Sequence, residues 1–150
     1  MVKCYRGGIE LWCRGIGLDG VFGMKNILAN RIRTPDGQLL QSYHRHDYKE
    51  YTDENGLEYM VDGGLSYLRR TIQDSAPFEE LSVYEDDDHI VIREAFHWGT
   101  YGINGDQPIQ WKPLCVLEDS HIQAIIDTQH QLPEHIRKVF LDEQDYRKGS

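Results

Sequence analysis

A chain of 150 residues with 25 acidic against 16 basic side chains carries a formal net charge of -9. That is the wrong sign for gripping long DNA or RNA, which takes a dense cationic surface able to displace counterions from phosphates. Aromatic residues make up 11% of the chain, too many for a disordered polypeptide, and no run of about 18 apolar residues is present to cross a bilayer as a helix.

The first 23 residues, MVKCYRGGIELWCRGIGLDGVFG, are glycine-rich without sustained periodicity and read as an N-terminal extension. From Met24 the pattern becomes regular, so residues 24–150 are drawn as a single α+β domain. The start lacks the basic-then-apolar order of an export signal, which points to the cytoplasm. Cys4, Cys13 and Cys115 are an odd, scattered set and read as reduced thiols rather than a disulfide or zinc site.

Between Asn30 and Asp62 two turns are explicit. Proline and glycine in TPDG (Thr34 to Gly37) preset one, and the Asn-Gly pair of DENG (Asp53 to Gly56) closes a second hairpin. The stretch between them, SYHRHDYKEY, is predicted as the middle strand of a meander. Its alternation then turns Ser42, His44, His46 and Tyr48 one way and Tyr43, Arg45, Asp47 and Tyr51 the other. VDGGLSYLRR follows, with a tight Gly-Gly turn before Arg69 and Arg70, and the character changes at Ser75 to Pro77.

A second β unit is predicted next: LSVY to the acidic turn EDDD, a long strand HIVIREAFHWGT, the loop YGINGD, and a return through QPIQWKPLCVL. On the long strand Ile90, Ile92, Phe96 and Trp98 share the core face, while Val91, Arg93, Ala95 and His97 form a partly polar face fit to line a site. Two helices end the chain. Asp119 or Ser120 caps the first, with Ile122, Ile125 and Ile126 as its stripe. Pro133 opens the second, with Ile136, Val139 and Phe140 as its stripe. Two antiparallel meanders followed by two C-terminal helices make an α+β fold.

Chemistry-bearing candidates follow from these placements. His44 and His46 point the same way on the predicted strand, a geometry a metal can use, but no third or fourth ligand stands at diagnostic spacing, so no metal is expected. Asp47 faces away from both, which disfavours a local His-Asp pair. GxSxG, HExxH, phosphate-loop and GxGxxG motifs are missing, and no catalytic residue or cofactor is assigned. The run Glu85 to Asp88 reads as a solvated turn rather than a cation site. Cys115, in an apolar strand, reads as buried filler.

The arginines are more suggestive. A guanidinium fork matches phosphate oxygens in two-point contacts, and rings suited to base stacking occur at Tyr67, Phe96, Trp98, Tyr101 and Trp111, where each stacked base contributes about 1–3 kcal/mol. Phe96 and Trp98 as core, with the arginines paired to surface acids, is the competing interpretation. The set as a whole leans toward a nucleotide pocket, and the glycines at 99, 102 and 105 let bare backbone approach a ligand.

The blocks HRHDY, VDGGLSYLRR, FHWGTYGINGDQPIQW, HIQAIIDTQ and PEHIRKVFLDEQDYR together resemble a group of small bacteriophage proteins, over roughly Asn26 to Arg147. The first two blocks also resemble a short phage zinc-ribbon-like domain, but its CxxC pairs are replaced here by turns such as TPDG and DENG, so zinc does not carry over. More particularly, the chain resembles the Thoeris anti-defence family of phage sponges. That resemblance implies an α+β homo-oligomer in the cytoplasm of an infected bacterium. It would sequester a cyclic ADP-ribose immune signal, or a cyclic oligonucleotide of the CBASS type, without cleaving it. It also implies a pocket of arginines for phosphate, an aromatic for adenine and an asparagine for ribose, matched to Arg45, Arg69, Arg70, Phe96 and Asn104, with His97 and Trp98 beside them.

Two alternatives stay open. A hydrolase or lyase would use His44, His46 and His97 as acid and base, since histidine titrates near neutrality. An acidic inhibitor would cover a basic host protein, although only EDDD clusters its acids.

Overall fold

The computed structural model describes residues 2–6, 9–13, 25–72 and 77–149. The fold is α+β: antiparallel sheets and three helices, two of them C-terminal. The chain divides into two compact units, Met1–Tyr84 and Glu85–Ser150.

In the first unit β1 (Val2–Arg6) and β2 (Ile9–Cys13) form an antiparallel hairpin. β3 (Ile27–Arg33) is the centre of the next sheet. It pairs on one side with β4 (Leu39–Ser42), across the TPDG turn, and on the other with the short β8 (Glu79–Glu80) and β9 (Val83–Tyr84). A central strand loses water from both faces, and Ile27, Leu28, Ala29, Asn30 and Ile32 are all buried. A three-stranded meander joins β5 (Lys49–Thr52), β6 (Glu58–Asp62) and β7 (Arg69–Ile72). Ile32, Leu40, Tyr59 and Val61 close a shared apolar core, with Tyr51 and Leu57 against it.

Both predicted hairpin turns are present. Gly37 and Gly56 take φ of 90° and 77°, which only glycine adopts without steric cost. In the second, Asp53 Oδ1 accepts the backbone N–H of Asn55 and Leu57, each at 2.9 Å, and its Oδ2 receives the Tyr59 hydroxyl at 3.0 Å. In the first, Asp36 accepts the hydroxyls of Thr34 and Tyr51. Side-chain hydrogen bonds thus tie each turn to its own strands.

The second unit corrects one predicted element. The long strand over HIVIREAFHWGT is a helix, α1 (His89–Ala95), followed by a short strand, β10 (His97–Thr100). The apolar positions Ile92, Ala95 and Phe96 fall at i, i+3 and i+4 and are buried, whereas Ile90, expected in the core, is 59% exposed. Helical spacing also sets His89 and Arg93 four residues apart on one face, where both reach Glu143. That tertiary anchor outweighs the β propensity of the Ile-Val-Ile run. β10 pairs with β11 (Gln110–Pro113) as a hairpin. A 3-10 turn over Leu114–Val116 follows, so Cys115 lies half-buried on that turn and not in a strand.

α2 (Asp119–Thr128) and α3 (Glu134–Lys148) bury the predicted stripes, Ile122, Ile125 and Ile126 on one and Ile136, Val139 and Phe140 on the other. Glu118 and Pro133 occupy the N-cap positions, neither with a side-chain cap bond, so Asp119 lies in the first turn rather than at the cap. Among the described residues no helix is long and apolar enough to cross a membrane. Ser75 and Ala76, where the change of character was drawn, lie outside the described residues.

Candidate functional site

The stretch SYHRHDYKEY is not one strand: Tyr43 to Tyr48 turn between two strands, with Ser42 ending one and Lys49 to Tyr51 in the next. β4 stops at Ser42 and β5 starts at Lys49. Ser42 causes the break: its hydroxyl donates to the Asp47 carbonyl at 2.6 Å and accepts the Gly64 N–H at 2.9 Å. Asp47 is buried, and its Oδ2 takes the Tyr43 N–H at 2.7 Å while its own N–H donates to the His44 carbonyl at 3.0 Å. Short polar side chains offering backbone groups a local partner compete with a β ladder in this way.

The predicted alternation of side chains therefore does not apply. His44 Nε2 stands 3.9 Å from Asp47 Oδ1 and Lys49 Nζ 3.2 Å from the same oxygen, so Asp47 faces His44 rather than away from it. His46 adopts φ of 64°, the one positive φ outside glycine among the described residues. Left-handed backbone costs an L residue roughly 1–2 kcal/mol, and sites that hold such strain are enriched in function.

A second turn, from Gly63 to Leu68, packs against the first. Gly64 approaches so closely that a Cβ there would meet the His44 backbone at 2.4 Å. Tyr67, on this second turn, sets its hydroxyl 3.1 Å from His46 Nδ1 and 3.1 Å from Asp62 Oδ2. Arg69 Nη1 lies 4.0 Å from the same Asp62 oxygen. Beneath them buried Asn30 donates to the carbonyls of Asp62 and Tyr67, at 2.8 and 3.3 Å. The two turns thus form one braced platform displaying His44, Arg45 and His46, all exposed.

The predicted site residues separate as follows. Arg45 lies at the crest of the first turn and Arg69 opens β7 beside the platform. Arg70 is 4% exposed: it donates to Ser82 Oγ at 2.6 Å and Asn30 Oδ1 at 3.2 Å and is ion-paired with Glu80. It is committed to bracing β7 against the neighbouring sheet. Phe96, His97, Trp98 and Asn104 belong to the second unit. Phe96 is 1% exposed, edge-on to Phe140 at 5.7 Å, so its ring offers no face to a base. Trp98 is half-buried against the same ring at 5.2 Å. His97 Nδ1 donates to the Ala95 carbonyl at 2.8 Å, and Asn104 is exposed in the loop between β10 and β11.

Arg45 differs from the rest of its kind. Among the arginines whose side chains are described, each of the others has an intramolecular acceptor: Arg31 on Leu81 O, Arg33 on Glu79, Arg69 on Asp62, Arg70 on Glu80, Arg93 and Arg147 on Glu143, Arg137 on Ile126 O. The Arg45 guanidinium has none among the described residues. The contact of Tyr67 with His46 and Asp62 escaped sequence reasoning because it arises only when the two turns dock.

A cleft of about 190 Å³ elsewhere in the first unit is lined by Tyr48, Glu50, Tyr51, Thr52, Glu58, Tyr59 and Met60. It holds none of the predicted residues, and two carboxylates without a cation make it a poor receptor for phosphate. Among the described residues no three metal-ligating side chains converge on one point. Comparison with family models, with curated proteins and with solved structures finds no match to this chain.

Proposed function

We propose that this chain binds and sequesters a small phosphorylated ligand of the cyclic-nucleotide class, as the phage sponge family it resembles would, and that the platform around Arg45 and His46 receives a phosphate. The observation that carries this reading is the Arg45 guanidinium. In a chain where acids outnumber bases by 25 to 16, an arginine displayed on a braced turn with no acceptor among the described residues has its donor fork available to an anion. Arginine presents that fork as a planar two-point match to phosphate. His44 precedes Arg45 on the same turn, and Arg69 stands beside the platform at Asp62. Arg70 and Phe96, engaged inside the protein, support strand packing and core instead.

The test is a melting-temperature screen of the chain and its Arg45→Ala variant against cyclic ADP-ribose isomers and cyclic di- and trinucleotides. A ligand that binds only the folded state raises the melting temperature by mass action. The reading expects at least one compound to stabilise the parent chain and to lose that effect in Arg45→Ala. Equal shifts in both would remove the platform from the binding site.

A second reading, a hydrolase or lyase acting on the same kind of ligand, is favoured by His44 and His46 standing on one turn with Arg45 between them. Paired imidazoles suit acid and base roles at phosphate esters. Recovery of the ligand intact or converted separates the two.

A further inference from the structure

His46 is set apart by what holds its ring. Asp62 is 4% exposed, lies within reach of the Arg69 guanidinium and accepts a hydrogen bond from the Tyr67 hydroxyl. Tyr67 has a single hydroxyl proton and donates it to Asp62 Oδ2. The Tyr67 oxygen is then an acceptor, and His46 Nδ1, 3.1 Å away, must be the donor. Neutral His46 is thereby held with its proton on Nδ1, the minor tautomer of histidine in water, and its Nε2 lone pair has no hydrogen-bond partner among the described residues. The edge-on Tyr67 ring, its centroid 6.1 Å from that of His46, fixes the same orientation.

We propose that Asp62 and Tyr67 are positioning residues for His46, and that His46 Nε2 is the atom that meets the ligand's phosphate, taking up one proton as it binds. This rests on the reading of the platform as a phosphate site. The proton comes from solvent and adds to the Nε2 lone pair. The resulting imidazolium donates from Nε2 to a phosphate oxygen and from Nδ1 to Tyr67, with the Asp62 charge one hydrogen bond beyond. Asp62 Oδ1 is itself buried without a partner among the described residues, so the only hydrogen bond drawing on that carboxylate comes from Tyr67, with Arg69 beside it. Burial and the Asp62 hydrogen bond push the Tyr67 phenol up, so it keeps its proton wherever histidine titrates. The charged groups around the ring are Asp62 and Arg69 from β6 and β7, and His44, Arg45, Asp47 and Lys49 from its own turn and the start of β5. Because the protonated ring is the anion-binding form, binding weakens as pH rises.

Nitrogen-15 NMR of the full chain with labelled histidine reads the tautomer directly, His46 being assigned from a His46→Gln variant. The expected result is Nδ1–H for His46 in the parent chain and reversion toward Nε2–H in Tyr67→Phe. Asp62→Asn serves as the second variant should Tyr67→Phe not fold. Nε2–H in the folded parent chain, or an unchanged tautomer in Tyr67→Phe, overturns the positioning role. Calorimetry then uses cyclic diadenylate, whose phosphodiesters keep their charge near neutrality, in buffers of different ionisation heat. Proton uptake with weaker binding at higher pH, both diminished in Tyr67→Phe, is the expected outcome. Binding without proton uptake overturns this proposal and leaves the phosphate reading standing; no binding at millimolar probe overturns both.

Discussion

Gly64 is the residue on which the platform turns. Its φ of 51° and the 2.4 Å overlap that a Cβ would make with His44 leave no room for any side chain, since the obstructing atoms are backbone. Gly64→Ala is expected to lower stability by at least roughly 2 kcal/mol, from left-handed strain and steric overlap together, and to disorder the display of Arg45. Urea denaturation checks the first part; a loss below about 0.5 kcal/mol, the scale of an ordinary surface substitution, would show that the turns do not lock. Arg45→Ala is a different kind of change. Arg45 is exposed and has no acceptor among the described residues, so the change should leave stability untouched while weakening phosphate-ligand binding at least about tenfold, roughly 1.4 kcal/mol. Unchanged affinity by calorimetry would exclude Arg45 as an anchor. Arg45 stands out in the sequence by residue type alone; its exposure on a turn is a feature of the fold. The contacts of Tyr67 with Asp62 and His46 leave no such trace, because hydrogen bonds between two docked turns have no spacing signal. Arg70 misled for a related reason: a buried guanidinium with partners at Asn30, Arg31, Ser82 and Glu80 looks the same in sequence as one awaiting a ligand.

At the scale of elements, α1 and α3 are joined through a buried ion cluster. Glu143 has no exposed surface and accepts from Arg93 Nη2 at 2.8 Å, Arg147 Nε at 2.7 Å and His89 Nε2 at 2.7 Å. Burial alone would push its carboxyl up; the hydrogen bonds from Arg93, Arg147 and His89 outweigh that and hold it at about 2. A carboxyl depressed in the folded state contributes stability that is present above its unfolded value of 4.5 and is lost as pH falls toward about 2. The second unit is therefore expected to lose up to about 3 kcal/mol across that window, followed by circular dichroism of its helices. Glu143→Gln should abolish this pH dependence, and a variant that keeps it would place the acid sensitivity elsewhere. Removing the acceptor also leaves two guanidiniums part-buried around an uncharged amide, a change that costs about 3–5 kcal/mol for a broken buried pair. The same cluster explains why the helix was hidden in the sequence. Ile92 and Phe96 are four apart, a spacing that shares one face in a strand and in a helix alike. Ile90 and Trp98 would distinguish the two, but local apolar character favours the strand until Glu143, fifty residues beyond Arg93, is brought near. The stripes of α2 and α3 were plain because their apolar residues repeat at helical spacing through two or more turns.

At the scale of the whole molecule, the α+β class followed from turn chemistry and from the terminal helical stripes, both local signals. The division at Tyr84 and Glu85 coincides with the acidic run, whose four residues are exposed and separate the strands of one unit from α1 of the other. A platform on the first unit is open to solvent, and a single open surface holds a small ligand poorly against the entropy of immobilising it. On the sequestering role proposed above, a second copy would close the site, and light scattering on the purified protein is then expected to return an oligomer. A clean monomer at micromolar concentration would require the platform to bind alone.

The most direct measurement is recovery of the ligand. The chain is incubated with the compound that stabilises it in the melting screen, freed of unbound compound by gel filtration, denatured by heat, and the supernatant resolved by chromatography. The account predicts an intact cyclic nucleotide in stoichiometric proportion to the parent chain and little or none from Arg45→Ala. A converted product would make the protein an enzyme, and equal recovery from both proteins would contradict a phosphate site built on the turn that carries Arg45.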